Sequence, residues 1–171
     1  MVRAYLISFV ARQALLLKDK LATRYPNAWL VWEPGSWSAP PVQGDESTTR
    51  LPTSHDAVTA PQRGDALCFE LALPAKATAL RLGRAKGNDI VINDATVSRE
   101  HILLAKQTDG RWSAEAMSQA RSTFFGASPL QPGQKVPLAD GQRIKVGDVV
   151  FTYLEPASFF ERVTGVAGGL R

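Results

Sequence analysis

Between Leu67 and Leu154 the chain is cut into short β-prone runs divided by turn residues, and this spacing constrains the fold more than any other feature. The runs are Leu67–Leu73, Ala79–Leu82, Ile90–Ile92, His101–Lys106, Trp112–Ala116, Thr123–Phe125, Lys135–Leu138, Arg143–Val146 and Val149–Leu154. Between them lie Pro74, Lys86-Gly87-Asn88-Asp89, Thr108-Asp109-Gly110, Pro132-Gly133, Asp140-Gly141 and Gly147-Asp148. Glycine there supplies unusual dihedrals, proline fixes one, and Asn or Asp bonds back to its own backbone, so each cluster is a turn with a mechanism. Many short strands at close spacing predict an all-β sandwich or barrel.

Ahead of this region the character changes twice. Leu6, Phe9, Val10, Ala14, Leu17, Leu21 and Tyr25 recur at three or four residues while Arg12, Lys18 and Lys20 fall elsewhere, the period of an amphipathic helix. Pro26 and Asn27 should stop it, and Trp29-Leu30-Val31-Trp32 reads as a short strand or an anchor against the core before Pro34 and Gly35. From Gly35 to Gly64 proline mixes with Ser, Thr, Gln and Asp without apolar periodicity, which reads as a flexible linker. At the other end, Ser158 and Glu161 have the spacing of a capping box opening a short helix in which Phe159 and Phe160 pack. The expected organisation is a helical extension over 1–34, a Pro/Ser/Thr-rich linker over 35–64, a β-sandwich over 65–163 and a flexible tail over 164–171.

Composition narrows the function classes. The 171 residues are 44% hydrophobic and 21% charged, ordinary values for a soluble globular chain. A net charge of +4, with Lys and Arg scattered among Asp and Glu, fits an anionic partner. A nucleic-acid surface calls for a basic stripe or interleaved stacking aromatics, whereas these aromatics sit in apolar strings suited to core packing. Cys68 is the only cysteine, so no internal disulfide can form, and its apolar neighbours make it a small buried residue of a reducing compartment. The apolar stretch Ala4 to Val10 is interrupted by Arg12, Gln13 and Lys18 before the roughly 20 residues of a membrane span accumulate. No small-residue cleavage site follows it. The expectations are a cytoplasmic location, no membrane partner, no cofactor and no metal.

The residues with chemistry to offer cluster in two segments. Arg81-Leu82-Gly83-Arg84 closes a predicted strand with a glycine that allows a tight turn and a guanidinium whose rigid fork suits phosphate oxygens. Asn93-Asp94-Ala95-Thr96-Val97-Ser98-Arg99-Glu100-His101 then offers a hydroxyl at Ser98, a cation at Arg99 and an imidazole just before the Ile102-Leu103-Leu104 strand. Ser98 and His101 do not read as a hydrolase pair. No orienting acid, strand-to-helix nucleophile elbow or Gly-rich oxyanion loop accompanies them, so His101 reads as a ring that braces the serine loop.

The series Gly83-Arg84, Asn88-Asp89-Ile90-Val91-Ile92 and Val97-Ser98-Arg99-Glu100-His101 resembles the motifs of forkhead-associated (FHA) domains. Leu138-Ala139-Asp140-Gly141-Gln142-Arg143-Ile144-Lys145-Val146-Gly147 is similar to the family's penultimate hairpin, with Gln142 where an acidic residue is more usual. The resemblance runs from near Leu67 to Leu154. It implies a β-sandwich of about eleven strands whose loops at one end bind phosphothreonine peptides by charge-assisted hydrogen bonds. On this basis Arg84 contacts phosphate, Ser98 hydrogen-bonds it, Arg99 adds charge or a backbone donor, and Gly83 and His101 are architectural.

One motif departs from the family. Where a Ser or Thr precedes Asn-Gly-Thr in the resembling domains, this chain has Ala120-Arg121-Ser122-Thr123-Phe124-Phe125-Gly126. The threonine is kept, but Ala120 replaces the hydroxyl residue and Arg121 the asparagine that holds peptide backbone. Either Arg121 supplies a second cation to phosphate and Thr123 joins the binding set, or the peptide platform is lost and the domain binds without phosphorylation. Ser118 and Ser122 are stand-ins for the missing hydroxyl. Thr48 and Thr49 follow Asp45-Glu46, and Leu51 stands at the third position after Thr48. They are candidate phosphorylation sites that could make the linker an intramolecular ligand, set against the plainer reading of a polar tether. The leading expectation is a phosphothreonine-binding adaptor whose partners are phosphorylated by a Ser/Thr kinase. A phosphorylation-independent scaffold for protein assembly is the rival.

Overall fold

The computed structural model describes residues 2–35, 65–117 and 122–169. Thr48, Thr49, Ser118, Ala120 and Arg121 therefore lie outside the described residues. In chain order the elements are β1 (Ala4–Leu6), α1 (Ile7–Leu17), a 3-10 turn (Lys18–Lys20), α2 (Leu21–Arg24), β2 (Trp29–Trp32), β3 (Leu67–Glu70), β4 (Ala79–Gly83) and β5 (Ile90–Val91). There follow β6 (Ile102–Lys106), β7 (Trp112–Ala116), β8 (Thr123–Phe125), β9 (Ser128–Pro129), β10 (Lys135–Pro137), β11 (Arg143–Val146), β12 (Val149–Leu154) and α3 (Pro156–Gly169). A seven-stranded sheet ordered β1-β3-β2-β12-β11-β8-β9 faces a five-stranded sheet ordered β10-β7-β6-β4-β5. The expected β-sandwich with a helix at each end is the fold.

Two cores stabilise it, and strand alternation decides which residue enters which. Leu30, Trp32, Leu67, Phe69, Phe151 and Tyr153 point between the sheets, where they meet Leu80, Leu82, Ile102 and Leu104 of the smaller sheet. Trp29, Val31 and Cys68 point the opposite way, toward Ile7, Val10 and Ala11 of α1 and Phe159 and Val163 of α3. Since both faces of β2 are covered, its four residues are all buried, and this accounts for a Trp-Leu-Val-Trp run with no polar alternation. β2 pairs with β3 on one side and β12 on the other. Residues before position 35 thus supply two strands of the larger sheet, one of them interior, and the sheet is built across the boundary expected at residue 34.

Three local readings differ in detail. The amphipathic segment is α1, a 3-10 turn and α2 rather than one helix, with the break at Lys18, whose φ is +46°. α3 begins at Pro156, an N-terminal position where the missing N–H costs nothing, so the Ser158–Glu161 capping box does not form. The Ser158 hydroxyl donates instead to Asp140, which also accepts from the backbone N–H of Glu155 at 2.8 Å. The helix continues through Gly169, past the sandwich boundary expected at 163, because Val163 and Ala167 bury their side chains in the second core.

α3 is held to the residue that follows β2 by charge, and to β2 by packing. Arg162 donates from both terminal nitrogens to the Glu33 carboxylate, at 2.8 and 2.9 Å, and the Thr152 hydroxyl donates to the same group. Burial pushes the Glu33 carboxyl up, but the Arg162 fork and the Thr152 hydroxyl outweigh it and hold the group below its ordinary value. Burial also pushes the Cys68 thiol well up, so it stays protonated and serves as packing.

Candidate functional site

The strand registers bring the motif loops to one end of the sandwich. Leu82 pairs with Ile102 and Ile102 with Ala116, so the end of β4, the start of β6 and the end of β7 lie together. In the other sheet Val146 pairs with both Thr123 and Val149, which puts the start of β8 and the β11–β12 turn at one level. The two ends meet where the Asp148 N–H donates to the Thr96 hydroxyl at 2.8 Å.

Gly83 is where the first two motifs touch. A Cβ there would stand 2.3 Å from the carbonyl oxygen of Arg99 and 3.0 Å from the Asn88 amide nitrogen, so no larger residue fits. The close approach lets Arg84 N–H donate to Ser98 O at 2.8 Å and Ala85 N–H to Arg99 O at 3.0 Å. Arg84 Nε donates in addition to Val97 O at 3.2 Å, which pins the guanidinium beside the loop that carries Ser98. Arg84 and Ser98 are half-buried and Arg99 is exposed. The arrangement brings the Arg84 guanidinium against the backbone of the loop that carries Ser98 and Arg99, residue types whose chemistry suits an oxyanion.

His101 sits beneath this rim, fully buried. Its Nδ1 accepts from the Ser98 backbone N–H at 2.9 Å, which requires the ring's proton to be on Nε2 when neutral. Nε2 then donates to the Thr123 hydroxyl at 3.0 Å. The imidazole is a brace between the serine loop and the start of β8. Thr123, which the motif comparison grouped with the binding residues, is itself buried, with its hydroxyl turned to His101 and away from the rim.

Other residues, to which the motifs gave no role, support the rim. Asn88 donates through Nδ2 to Ala85 O at 2.8 Å and Arg99 O at 2.7 Å, stapling the arginine loop to the serine loop from below. Asp94, fully buried, accepts from the Thr96 N–H at 2.9 Å and from its hydroxyl at 2.6 Å, a local turn that the Asn-Asp-Ala-Thr sequence could have signalled. Gly147, at φ +62°, lies where a Cβ would stand 2.4 Å from Thr96 O, so the β11–β12 turn can close against this loop. An open depression follows, lined by Thr96, Ser122, Phe124, Lys145 and Asp148.

Residues 80–147 match the FHA domain family model, and the sandwich with these loops at its end is an FHA domain. An FHA domain-containing protein of Arabidopsis thaliana is 32% identical over 92 residues, which are 53% of this chain and 22% of that protein. Among solved structures, the FHA domain of an Arabidopsis thaliana hypothetical protein is 30% identical, covering 56% of this chain and 77% of that one, with a TM-score of 0.46. Mycobacterium tuberculosis EmbR in complex with a low affinity phosphopeptide is 29% identical, covering 48% of this chain and 21% of that one, with a TM-score of 0.41. The chain spans about a fifth of the length of the curated relative.

Proposed function

We propose that the loop end of the sandwich binds phosphothreonine peptides, and that the protein is an adaptor for partners phosphorylated by a Ser/Thr kinase. The observation that supports this most is the mutual fixing of Arg84 and Ser98. Backbone hydrogen bonds join the two loops and Arg84 Nε is held at Val97 O, which supports a site formed before any ligand arrives. A preformed site loses little freedom on binding, and a dianionic phosphate with three acceptor oxygens is the ligand that uses a guanidinium and a hydroxyl together. Membership in a family of binding modules fits the same reading.

Arg84→Ala tests the role of the guanidinium. A hydrogen bond to a charged group contributes about 1.5–3 kcal/mol, so affinity for a phosphothreonine peptide should fall by about 10- to 150-fold in a calorimetric titration. The substitution removes the Nε bond to Val97 but keeps the backbone bonds that join the two loops, and should leave the melting temperature nearly unchanged. A variant that binds the phosphopeptide as the native chain does would favour the phosphorylation-independent scaffold.

A further inference from the structure

The large hydrophobic side chains left exposed among the described residues are Phe9, Leu15 and Leu16, at 39%, 42% and 77%, and all three belong to α1. The charge is distributed in a related way. Residues 1–25 contain five of the twenty Lys and Arg but one of the sixteen Asp and Glu, so this segment holds the whole surplus of +4 and the remaining chain is neutral. Arg3, Arg12, Lys18, Lys20 and Arg24 are all exposed.

The geometry joins the two facts. The inner face of α1, Ile7, Val10 and Ala11, is committed to the second core. Phe9 and Leu16 are seven residues apart and share the outer face, with Arg12 between them. Phe9 stacks on Tyr5 at 6.2 Å, Tyr5 meets the Tyr25 ring edge-on at 6.0 Å, and the Arg24 guanidinium stands 5.3 Å from that ring's centre. The 3-10 turn adds Lys18 and Lys20 at the far end of the helix.

We propose that this outer face of α1, with the Lys18–Lys20 turn and Arg24, docks on an anionic phospholipid surface. Lys and Arg flanking exposed aliphatic and aromatic side chains on one amphipathic helix is the pattern of a segment that lies in the headgroup layer. Bases of a nucleic acid would be stacked by aromatic rings, whereas the most exposed side chains here are leucines, which insert between acyl chains instead. Among the described residues no helix is long and apolar enough to cross a membrane, and a helix lying flat needs no such length. With few apolar residues to insert, attachment relies on charge and is salt-sensitive.

Flotation of the full chain with vesicles tests this. Vesicles of two-thirds phosphatidylcholine and one-third phosphatidylglycerol should carry the protein at low salt, pure phosphatidylcholine should not, and half-molar sodium chloride should release it. The double variant Leu15→Ser with Leu16→Ser should bind at least tenfold more weakly, and each of Lys18→Gln and Lys20→Gln about fivefold more weakly. All four positions are exposed, so an unchanged melting curve shows that the fold is kept. The proposal fails if the native chain ignores anionic vesicles, if it floats equally with neutral ones, or if the variants float as the native chain does. It fails also if light scattering shows a dimer that the double serine variant dissolves while vesicles remain unbound, since the face would then be a contact between two copies.

Discussion

Gly83→Ala is expected to lower stability by about 4–6 kcal/mol and to take phosphopeptide binding below detection. The position has ordinary backbone dihedrals, so the requirement is for room and not for a left-handed conformation. The obstacle 2.3 Å from the new methyl is the backbone oxygen of Arg99, which cannot swing aside as a flexible side chain would. Relief must come from parting the two loops. That breaks the bonds from Arg84 N–H to Ser98 O and from Ala85 N–H to Arg99 O, together with the Asn88 staple to the same Arg99 carbonyl. Each neutral hydrogen bond is worth about 1 kcal/mol, and overpacking adds about 1–3 kcal/mol. The affinity loss should exceed that of Arg84→Ala, because both oxyanion ligands lose their relative position. Denaturant unfolding and a peptide titration measure the two effects. A variant with native stability would show that the loops can separate without cost.

Trp29→Ala should cost about 3–5 kcal/mol, a shift of about 6–20 °C in melting temperature, and yet leave the affinity of the folded protein unchanged. Trp29 is fully buried between the larger sheet and the helices. Its ring stacks on Phe159 at 4.0 Å and 11°, and Tyr5 and Tyr25 meet it edge-on at 6.0 and 5.7 Å. Removing the indole leaves a cavity walled by Tyr5, Tyr25 and Phe159, large rings packed on the sheet that fill it poorly. The loop end is formed from β4, β6, β8 and the β11–β12 turn, none of which contacts this cluster. Thermal melts and a titration of the folded fraction separate the outcomes. A loss of affinity that matches the loss of stability would mean that the helical layer and the loops are coupled.

The contrast between these residues explains what could be read in advance. Strands of the sandwich were legible because each run is short, local and bounded by turn residues whose dihedral needs are independent of the rest of the chain. The close approach at Gly83 and the bracing by His101 were legible for a similar reason, since each demands a particular side chain at a fixed offset. Trp29–Trp32 was readable as a strand or an anchor but not as an interior strand. Its partners β3 and β12 lie far along the chain, and a run buried on both faces carries no alternation to say which face meets what. Phe9 fitted the helical period of the apolar stripe, yet it is exposed while Ala11 is fully buried, because the groove between sheet and α3 selects a face rotated from the one periodicity marked. Thr123 kept the identity of a binding residue while its hydroxyl went to His101, a pairing between residues 22 positions apart that no local pattern encodes.

The central claim is that the loop end discriminates phosphothreonine, and matched peptides measure it most directly. One peptide sequence, prepared with phosphothreonine, phosphoserine and unmodified threonine at the same position, is titrated against the full chain by calorimetry. The account predicts binding of the phosphothreonine peptide, weaker binding of the phosphoserine form and none of the unmodified one, with the first weakened about 10- to 150-fold in Arg84→Ala. Equal affinity for all three would contradict it.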